Sequence, residues 1–244
     1  KYKANIDSVI SINPVVSKEV LLKFKELDSR YLRQLFPYLP EPWYEPQTKS
    51  PSLKRMIFIG RPTTDKGWGR FVRLSESLHS SDWEFVAVLG CDDFQEFPEH
   101  IQIHLNLPNS QVLKLLSESD VFCLPSRSEA SPLSILEALS KGLICLSSDL
   151  PGFDEMYNGF PVILLKDWTV ENVKKSLASV DLSDQGRRHR VEHFNSHYPT
   201  RESQKQDWLD ATQIVSSQKK VLLRRKVFLL PQWLLTLVGF RWER

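Results

Sequence analysis

The chain has little cysteine and lacks long apolar runs, and both scarcities narrow the classes of protein to which it can belong. Three cysteines in 244 residues are too few for a disulfide framework, and their odd number and spacing match no metal motif. We therefore expect Cys91, Cys123 and Cys145 to be reduced, buried thiols of a cytosolic protein. The apolar stretch 227–240 contains Pro231 and is too short to span a bilayer.

Patterns that bind metals are also scarce. The histidines show no zinc spacing apart from the four-residue steps between His189, His193 and His197, which we expect to face solvent. No Asp-x-Asp pattern follows a predicted strand, because Asp92 and Asp93 are adjacent and lie in a predicted loop. The sequence thus predicts chemistry that requires no metal or other cofactor.

The remaining composition is that of an ordinary globular protein, with 41% hydrophobic and 25% charged residues. The formal net charge is +2, yet residues 216–244 hold seven Lys and Arg against one Glu. This basic and leucine-rich tail predicts an anionic partner, either a membrane surface contacted by residues 219–244 or another domain. Nothing in the pattern indicates nucleic acid. Since the first residue is Lys and no signal peptide is visible, we expect a fragment or processed chain whose upstream portion is missing.

Short apolar runs alternate with helical patterns through most of the chain. Strands of four to six residues that alternate with helices predict an α/β fold, a Rossmann-like parallel sheet with helices on both faces. Ligands of such sheets bind at the carboxyl ends of the strands. The predicted strands are 55–60, 84–90, 101–106, 121–124, 143–147 and 161–165. The predicted helices begin near 66, 109, 132, 169 and 184, with Asn109 or Ser110 and Thr169 as N-caps.

The most informative segment is residues 125–152. A strand stops at Pro125, a polar loop carries Glu129, and a helix that begins near Pro132 carries Glu137 in its second turn. A helix N-terminus offers unpaired N–H groups and a positive dipole end, which favour an anion such as a diphosphate. One acid in the loop and one on the helix, on either side of that N-terminus, suit a site for a nucleotide sugar.

A second segment, residues 57–71, places two cations on one loop. The strand ends at Gly60, Arg61 emerges from its carboxyl end, and Lys66 and Gly67 precede the next helix. A guanidinium fork and an ammonium that converge on one loop suit two phosphates.

Together the two segments resemble the E-x7-E signature and the G-R…K-G element of family-four glycosyltransferases, which are retaining enzymes of the GT-B fold. The resemblance implies transfer of a sugar from a nucleoside diphosphate to a glycan or lipid-linked acceptor, at the cytoplasmic face of a membrane or in the cytoplasm. Arg61 and Lys66 would hold the diphosphate and stabilise its departure, and Glu129 would face the donor sugar. These three residues are the implied catalytic set.

The same resemblance implies further contacts with the nucleotide. Glu137 would accept hydrogen bonds from the ribose hydroxyls, and Leu133 and Ser134 would offer backbone N–H groups to the diphosphate. Gly60 would lie against the nucleotide at the strand end, and the base would lie near Asn106.

The resemblance also implies a division of the chain. Residues 1–48 would be the end of an acceptor-side N-terminal domain and a linker, 49–200 the nucleotide-sugar domain, and 201–244 a crossing helix with the basic tail. The active site of a GT-B enzyme lies between two halves. We therefore expect that this chain lacks acceptor residues and that it is inactive alone.

Two alternatives from other classes stay open. Where the family usually has E-G-F-G, this chain has Ala130, Ser131 and Pro132 after Glu129, which removes a glycine and one backbone donor. That departure keeps open a non-catalytic scaffold or regulatory subunit that binds nucleotide. A nucleotide-sugar epimerase of similar architecture is the second alternative, because fold alone does not choose among these activities.

Overall fold

A computed structural model describes residues 9–11, 14–23, 32–34, 54–79, 82–90 and 96–218. The chain divides into two units, one formed by Lys1–Phe36 with Glu202–Arg244 and the other by Pro37–Arg201. The predicted limit at residue 48, Cys91, the Asp92–Asp93 pair and the basic tail 219–244 all lie outside the described residues. The predicted domain limits therefore stay predictions.

The described residues of the first unit form two short strands and two helices. Strand β1 (Val9–Ser11) and strand β2 (Leu32–Gln34) pair in parallel on either side of helix α1 (Pro14–Lys23). The pattern of residues 6–13 predicts a strand and that of residues 17–27 predicts a helix, whereas no pattern predicts β2. Helix α8 (Arg201–Gln218) belongs mostly to this unit.

The second unit is a six-stranded sheet in which every pairing is parallel, in the order β5-β4-β3-β6-β7-β8. The predicted Rossmann-like fold is therefore confirmed. Its strands are β3 (Lys54–Gly60), β4 (Trp83–Leu89), β5 (Ile101–Leu105), β6 (Val121–Leu124), β7 (Ile144–Ser148) and β8 (Val162–Leu165). Its helices are α2 (Trp68–Leu78), α3 (Asn109–Ser117), α4 (Leu133–Ser140), α5 (Phe153–Met156), α6 (Val170–Ala178) and α7 (Asp184–His197).

Helices cover both faces of this sheet, because successive strand side chains point to opposite sides. On one face Ile57 of β3 lies in an apolar cluster with residues of α3, α4 and α7. On the other face Met56 and Phe58 of the same strand pack with α2 and α6. The three residues are fully buried. A strand buried on both faces reads as a continuous apolar run, as predicted for a parallel sheet.

The strand order reverses between β3 and β6, which are hydrogen-bonded neighbours at the centre of the sheet. From β3 the chain proceeds outward through β4 and β5, and it then returns to β6 on the other side. Such a reversal opens a crevice at the carboxyl ends of the two central strands, where ligands of open α/β sheets bind. The loops that follow Gly60 and Leu124 therefore border this crevice.

Two local predictions need correction. The predicted cap at Asn109 or Ser110 is wrong, because Pro108 is the N-cap of α3 and makes no side-chain capping bond. Helix α5 was not predicted at all, since it has a single turn and too few residues to show a period. The predicted cap of α6 is confirmed, because the hydroxyl of Thr169 accepts a hydrogen bond from the N–H of Asn172.

Candidate functional site

The loop between β3 and α2 lies directly against the loop between β6 and α4. Gly67 is the N-cap of α2 and adopts φ +74°, a conformation that favours glycine. A Cβ at this position would lie only 2.5 Å from the carbonyl carbon of Pro125, closer than real contacts allow. The backbone N–H of Arg127 donates to the carbonyl of Asp65 at 2.8 Å. Only a glycine at position 67 permits this close approach.

Arg70 of α2 strengthens the same contact. Its guanidinium nitrogen Nη1 donates to the carbonyl of Pro125 at 3.0 Å and to the hydroxyl of Ser148 at 3.3 Å. The indole N–H of Trp168 donates to that hydroxyl at 2.9 Å. Because Pro125 and Ser148 are buried, Arg70 satisfies acceptors that water does not reach. The guanidinium thereby joins α2 to the ends of β6 and β7.

The two docked loops bring Lys66 and Glu129 together. The ammonium Nζ of Lys66 lies 2.7 Å from Oε1 of Glu129, and the hydroxyl of buried Ser126 donates to the same oxygen at 2.8 Å. The Lys66 side chain is 26% exposed and that of Glu129 is 12% exposed. These residues are 63 positions apart in sequence, and the sequence analysis did not predict that they form an ion pair.

The other predicted residues of the strand ends occupy separate places at the carboxyl edge of the sheet. Gly60 is the last residue of β3, and Arg61 follows it with an exposed side chain. Asn106 follows β5 and is the single non-glycine residue with positive φ in the described part of the chain. Its N–H donates to the carbonyl of Leu89 at 2.9 Å. Since β5 is an edge strand and β4 lies between it and β3, Asn106 lies at the side of the sheet and not beside the β3–β6 crevice.

Helix α4 begins at Leu133, with Pro132 as an extended N-cap that forms no side-chain capping bond. Leu133 is 48% exposed and Ser134 is half-buried. The Oγ atom of Ser131 is buried and has no hydrogen-bond partner among the described residues. A buried hydroxyl without a protein partner is a position where a ligand or water completes the hydrogen bonding.

Glu137 has a different environment one turn further along α4. Its Oε1 accepts a long hydrogen bond of 3.4 Å from the side-chain amide of Asn109, at the start of α3. Burial raises the pKa of the Glu137 carboxyl, and the Asn109 bond and the charge of Lys141 only partly oppose that effect. Burial also lowers the pKa of Lys141 to about 8, against the attraction of Glu137.

Two arginines of α7 fix the opposite end of α4. The Nε of Arg187 donates to the carbonyl of Lys141 at 2.9 Å, and the Nε of Arg190 donates to the carbonyl of Gly142 at 2.7 Å. Carbonyls at a helix C-terminus lack partners within the helix, and cations there also oppose the helix dipole favourably. Thus α4 is anchored at its C-terminus and its N-terminus borders the crevice.

A comparison with protein families identifies the architecture. The model of the family described as glycosyl transferases group 1 matches residues 44–193, a range that includes both central strands and both loops of the crevice. The chain belongs to this family. The predicted family resemblance is therefore confirmed, and glycosyl transfer is the general activity that the family shows.

Individual relatives agree with that membership. The TuaC protein of Bacillus subtilis, named for teichuronic acid biosynthesis, is 26% identical over 124 residues, which are 50% of this chain and 31% of TuaC. The sucrose-phosphate synthase of Thermosynechococcus elongatus superposes with a TM-score of 0.68 at 15% identity, over 88% of this chain and 61% of that structure. The glycosyltransferase WaaG gives 0.61 at 15% identity, over 84% and 62%. The chain spans less than two thirds of each.

Other features predicted from the sequence carry less information about the site. Cys123 and Cys145 are buried free thiols, as predicted. His193 and His197 stack on each other at 4.0 Å, and His193 is half-buried against the carbonyl of Gly159.

Within the described ranges no cluster of three or more potential metal ligands occurs. No helix in that part of the chain is long and apolar enough to cross a bilayer.

Sequence reasoning missed four residues that shape the site, namely Ser126, Arg70, Asn109 and Lys141. Arg70 and Asn109 act through contacts with residues distant in sequence. Ser126 and Lys141 act on glutamates nearby in sequence, and their burial makes these interactions strong. The one usable signal was the Pro-Ser pair that directly follows β6, because a hydroxyl at a strand end lies at the crevice.

Proposed function

We propose that this glycosyltransferase chain binds a nucleoside-diphosphate sugar in the crevice between β3 and β6. It would supply the donor site for transfer of the sugar, with retention at the anomeric carbon, to a glycan or lipid-linked acceptor. The observation that carries the proposal is the Lys66–Glu129 pair on the loops that follow β3 and β6, where the strand order reverses. Helix α4 begins at Leu133, on the same loop as Glu129. Retention is proposed from the resemblance to family-four enzymes.

The proposed chemistry is chiefly electrostatic. When the bond between the anomeric carbon and the diphosphate breaks, its electron pair goes to the β-phosphate oxygen. The acceptor hydroxyl oxygen forms the new bond to the anomeric carbon, and its proton passes to an oxygen of the departing phosphate. Arg61 and Lys66, with the N–H groups of Leu133 and Ser134, would stabilise the departing diphosphate. Glu129 would bind hydroxyls of the sugar, and Glu137 those of the ribose, since a carboxylate accepts several hydrogen bonds. Gly60 and Asn106 complete the proposed nucleotide contacts.

Related proteins support the proposed ligands. The structure of the pneumococcal O-GlcNAc transferase GtfA is a complex with UDP and GlcNAc, and that protein shares the fold with a TM-score of 0.57 at 15% identity. TuaC and WaaG are named for teichuronic acid and lipopolysaccharide biosynthesis respectively. A polymeric or lipid-linked acceptor is therefore our proposal. We also propose that a partner half supplies acceptor residues, that the protein acts in the cytoplasm, and that residues 219–244 contact a membrane.

The proposal is tested by calorimetric titration of the full chain with UDP, GDP, ADP, dTDP and CMP. One nucleoside diphosphate should bind, and Lys66→Met should weaken it by about tenfold or more through loss of a charge-assisted contact. Glu137→Ala should also weaken it. The matched control is Lys174→Met, which removes an exposed lysine of α6 and should leave affinity unchanged.

Two results would contradict this function. Absence of binding by every nucleotide would remove the donor site, and equal losses in Lys66→Met and Lys174→Met would show that only overall charge matters. Binding without any sugar transfer after the complete protein is supplied with acceptors would instead favour a scaffold. Conversion of free nucleotide sugar without acceptor would favour an epimerase.

A further inference from the structure

The two cations assigned to the diphosphate have different surroundings. Arg61 is exposed and forms no ion pair with any residue in the described ranges. Lys66 already contacts Glu129 at 2.7 Å. Any phosphate that binds the Lys66 ammonium must therefore displace Glu129 or share the ammonium with it.

The Glu129 carboxylate is held in place for this contact. The Ser126 hydroxyl donates to the oxygen that Lys66 contacts, and Ser126 itself is fully buried. The backbones on both sides are fixed by the close approach of Gly67 to Pro125. Because the Glu129 side chain is only 12% exposed, its charge is screened less than that of a surface pair. A phosphate at Lys66 would thus meet a fixed negative charge rather than a side chain that swings away.

We infer that Glu129 determines specificity by competing for Lys66, so that the site favours a nucleotide sugar over the free nucleoside diphosphate. This inference rests on the proposed function. A free diphosphate brings an additional negative charge to its terminal phosphate, and a nearby carboxylate repels that charge. A nucleotide sugar replaces that charge with hydroxyl donors, whose hydrogen bonds the Glu129 carboxylate accepts from its fixed position. The same competition speeds release of the diphosphate after transfer.

A purely structural ion pair would behave differently. Removing such a pair would destabilise the fold and change the affinity for all ligands by the same factor. Competition predicts different effects on the two ligands, because only the free diphosphate lacks the sugar hydroxyls whose hydrogen bonds Glu129 accepts. The ratio of the two affinities therefore separates the two roles.

The test measures Kd for the nucleoside diphosphate and for its nucleotide sugar with the full wild-type chain and with Glu129→Gln. We expect the variant to bind the diphosphate about three- to tenfold more tightly, because Lys66 no longer has a competing anion. The nucleotide sugar should bind equally or more weakly, so the preference ratio should fall at least about threefold. Glu171→Gln, an exposed acid of α6, is the matched control and should leave the ratio unchanged.

Glu129→Asp provides a second variant, since it keeps the charge but shortens its reach toward Lys66. Its ratio of the two affinities should lie between those of the wild type and Glu129→Gln. Thermal unfolding identifies any variant that fails to fold. If the wild type binds both ligands and both folded variants have the same ratio of affinities as the wild type, the competition is overturned but the donor site is not. Absence of binding in the wild type and in both variants overturns the proposed donor site and the inference together. Binding that appears only in the variants supports both.

Discussion

The loop that carries Glu129 and the helix that carries Glu137 place their glutamate side chains in different electrostatic surroundings. Glu129 contacts an ammonium and a hydroxyl, both within 2.8 Å. Glu137 has one long bond to Asn109, and burial raises its pKa. The difference shows that a signature of two acids does not specify two equivalent acids. Lys66 and Ser126 compensate the charge of Glu129, whereas Asn109 and Lys141 only partly compensate that of Glu137.

The largest effect should come from separating the two loops at their closest contact. Gly67→Ala forces φ +74° on alanine and places a Cβ against the Pro125 carbonyl. The free energy of unfolding should fall by about 2–5 kcal/mol, the sum of a left-handed backbone and an overpacked contact. Urea unfolding measures it. Gly159→Ala has φ +83° and open space, so it should lose only about 1–2 kcal/mol. Equal losses would show that the loops are free to separate.

A smaller effect should follow from removing the Arg70 guanidinium, which joins helix α2 to Pro125 after β6 and to Ser148 at the end of β7. Arg70→Met leaves the buried carbonyl of Pro125 without its donor. The free energy of unfolding should fall by about 1–3 kcal/mol. Arg73→Met, on the next turn of α2 and exposed, is the control and should change little. An affinity for nucleoside diphosphate that is unchanged in Arg70→Met would show that this residue stabilises the fold without positioning Lys66 and Glu129.

The smallest effect concerns the helix side of the comparison. Because the pKa of Glu137 is raised in the folded state, the folded protein binds more protons than the unfolded one above the ordinary pKa of 4.5. Stability contributed by this carboxyl is therefore lost as pH rises through the raised pKa. Glu137→Gln should raise the unfolding temperature at pH 7, and the gain should disappear below pH 4.5. The exposed acid of α2, Glu76, provides the control Glu76→Gln. A lower unfolding temperature at pH 7 would mean that attraction to Lys141 outweighs burial.

Much of the fold was predictable because its signals are local. All six strands of the large sheet, β3 to β8, begin and end within one residue of their predicted limits, since runs of buried β-branched and aromatic residues are bounded by Gly, Pro and polar residues. The wrong cap at α3 has a physical cause. Pro108 takes the extended conformation of an N-cap, and Asn109 is already the first helical residue. A local pattern does not reveal which of two neighbouring residues leaves the helical conformation.

The candidate site was predictable as a set of positions but not as a set of contacts. Lys66 and Glu129 each follow a strand, so both were expected at one edge of the sheet. Their ion pair depends on strand order, because β3 and β6 are neighbours although two strands separate them in sequence. The unequal states of the two acids depend on burial, which is a property of the packed loops and helices.

The sequence by itself determined the alternation of strands and helices, the family resemblance and the residue types at the strand ends. Local backbone preferences and the apolar period suffice for these features. The tertiary structure alone decided that β3 lies beside β6, that Gly67 meets Pro125, and that Lys66 is paired while Arg61 is exposed. The physical reason is that pairing energies and desolvation depend on distances between residues far apart in the chain, and folding sets those distances.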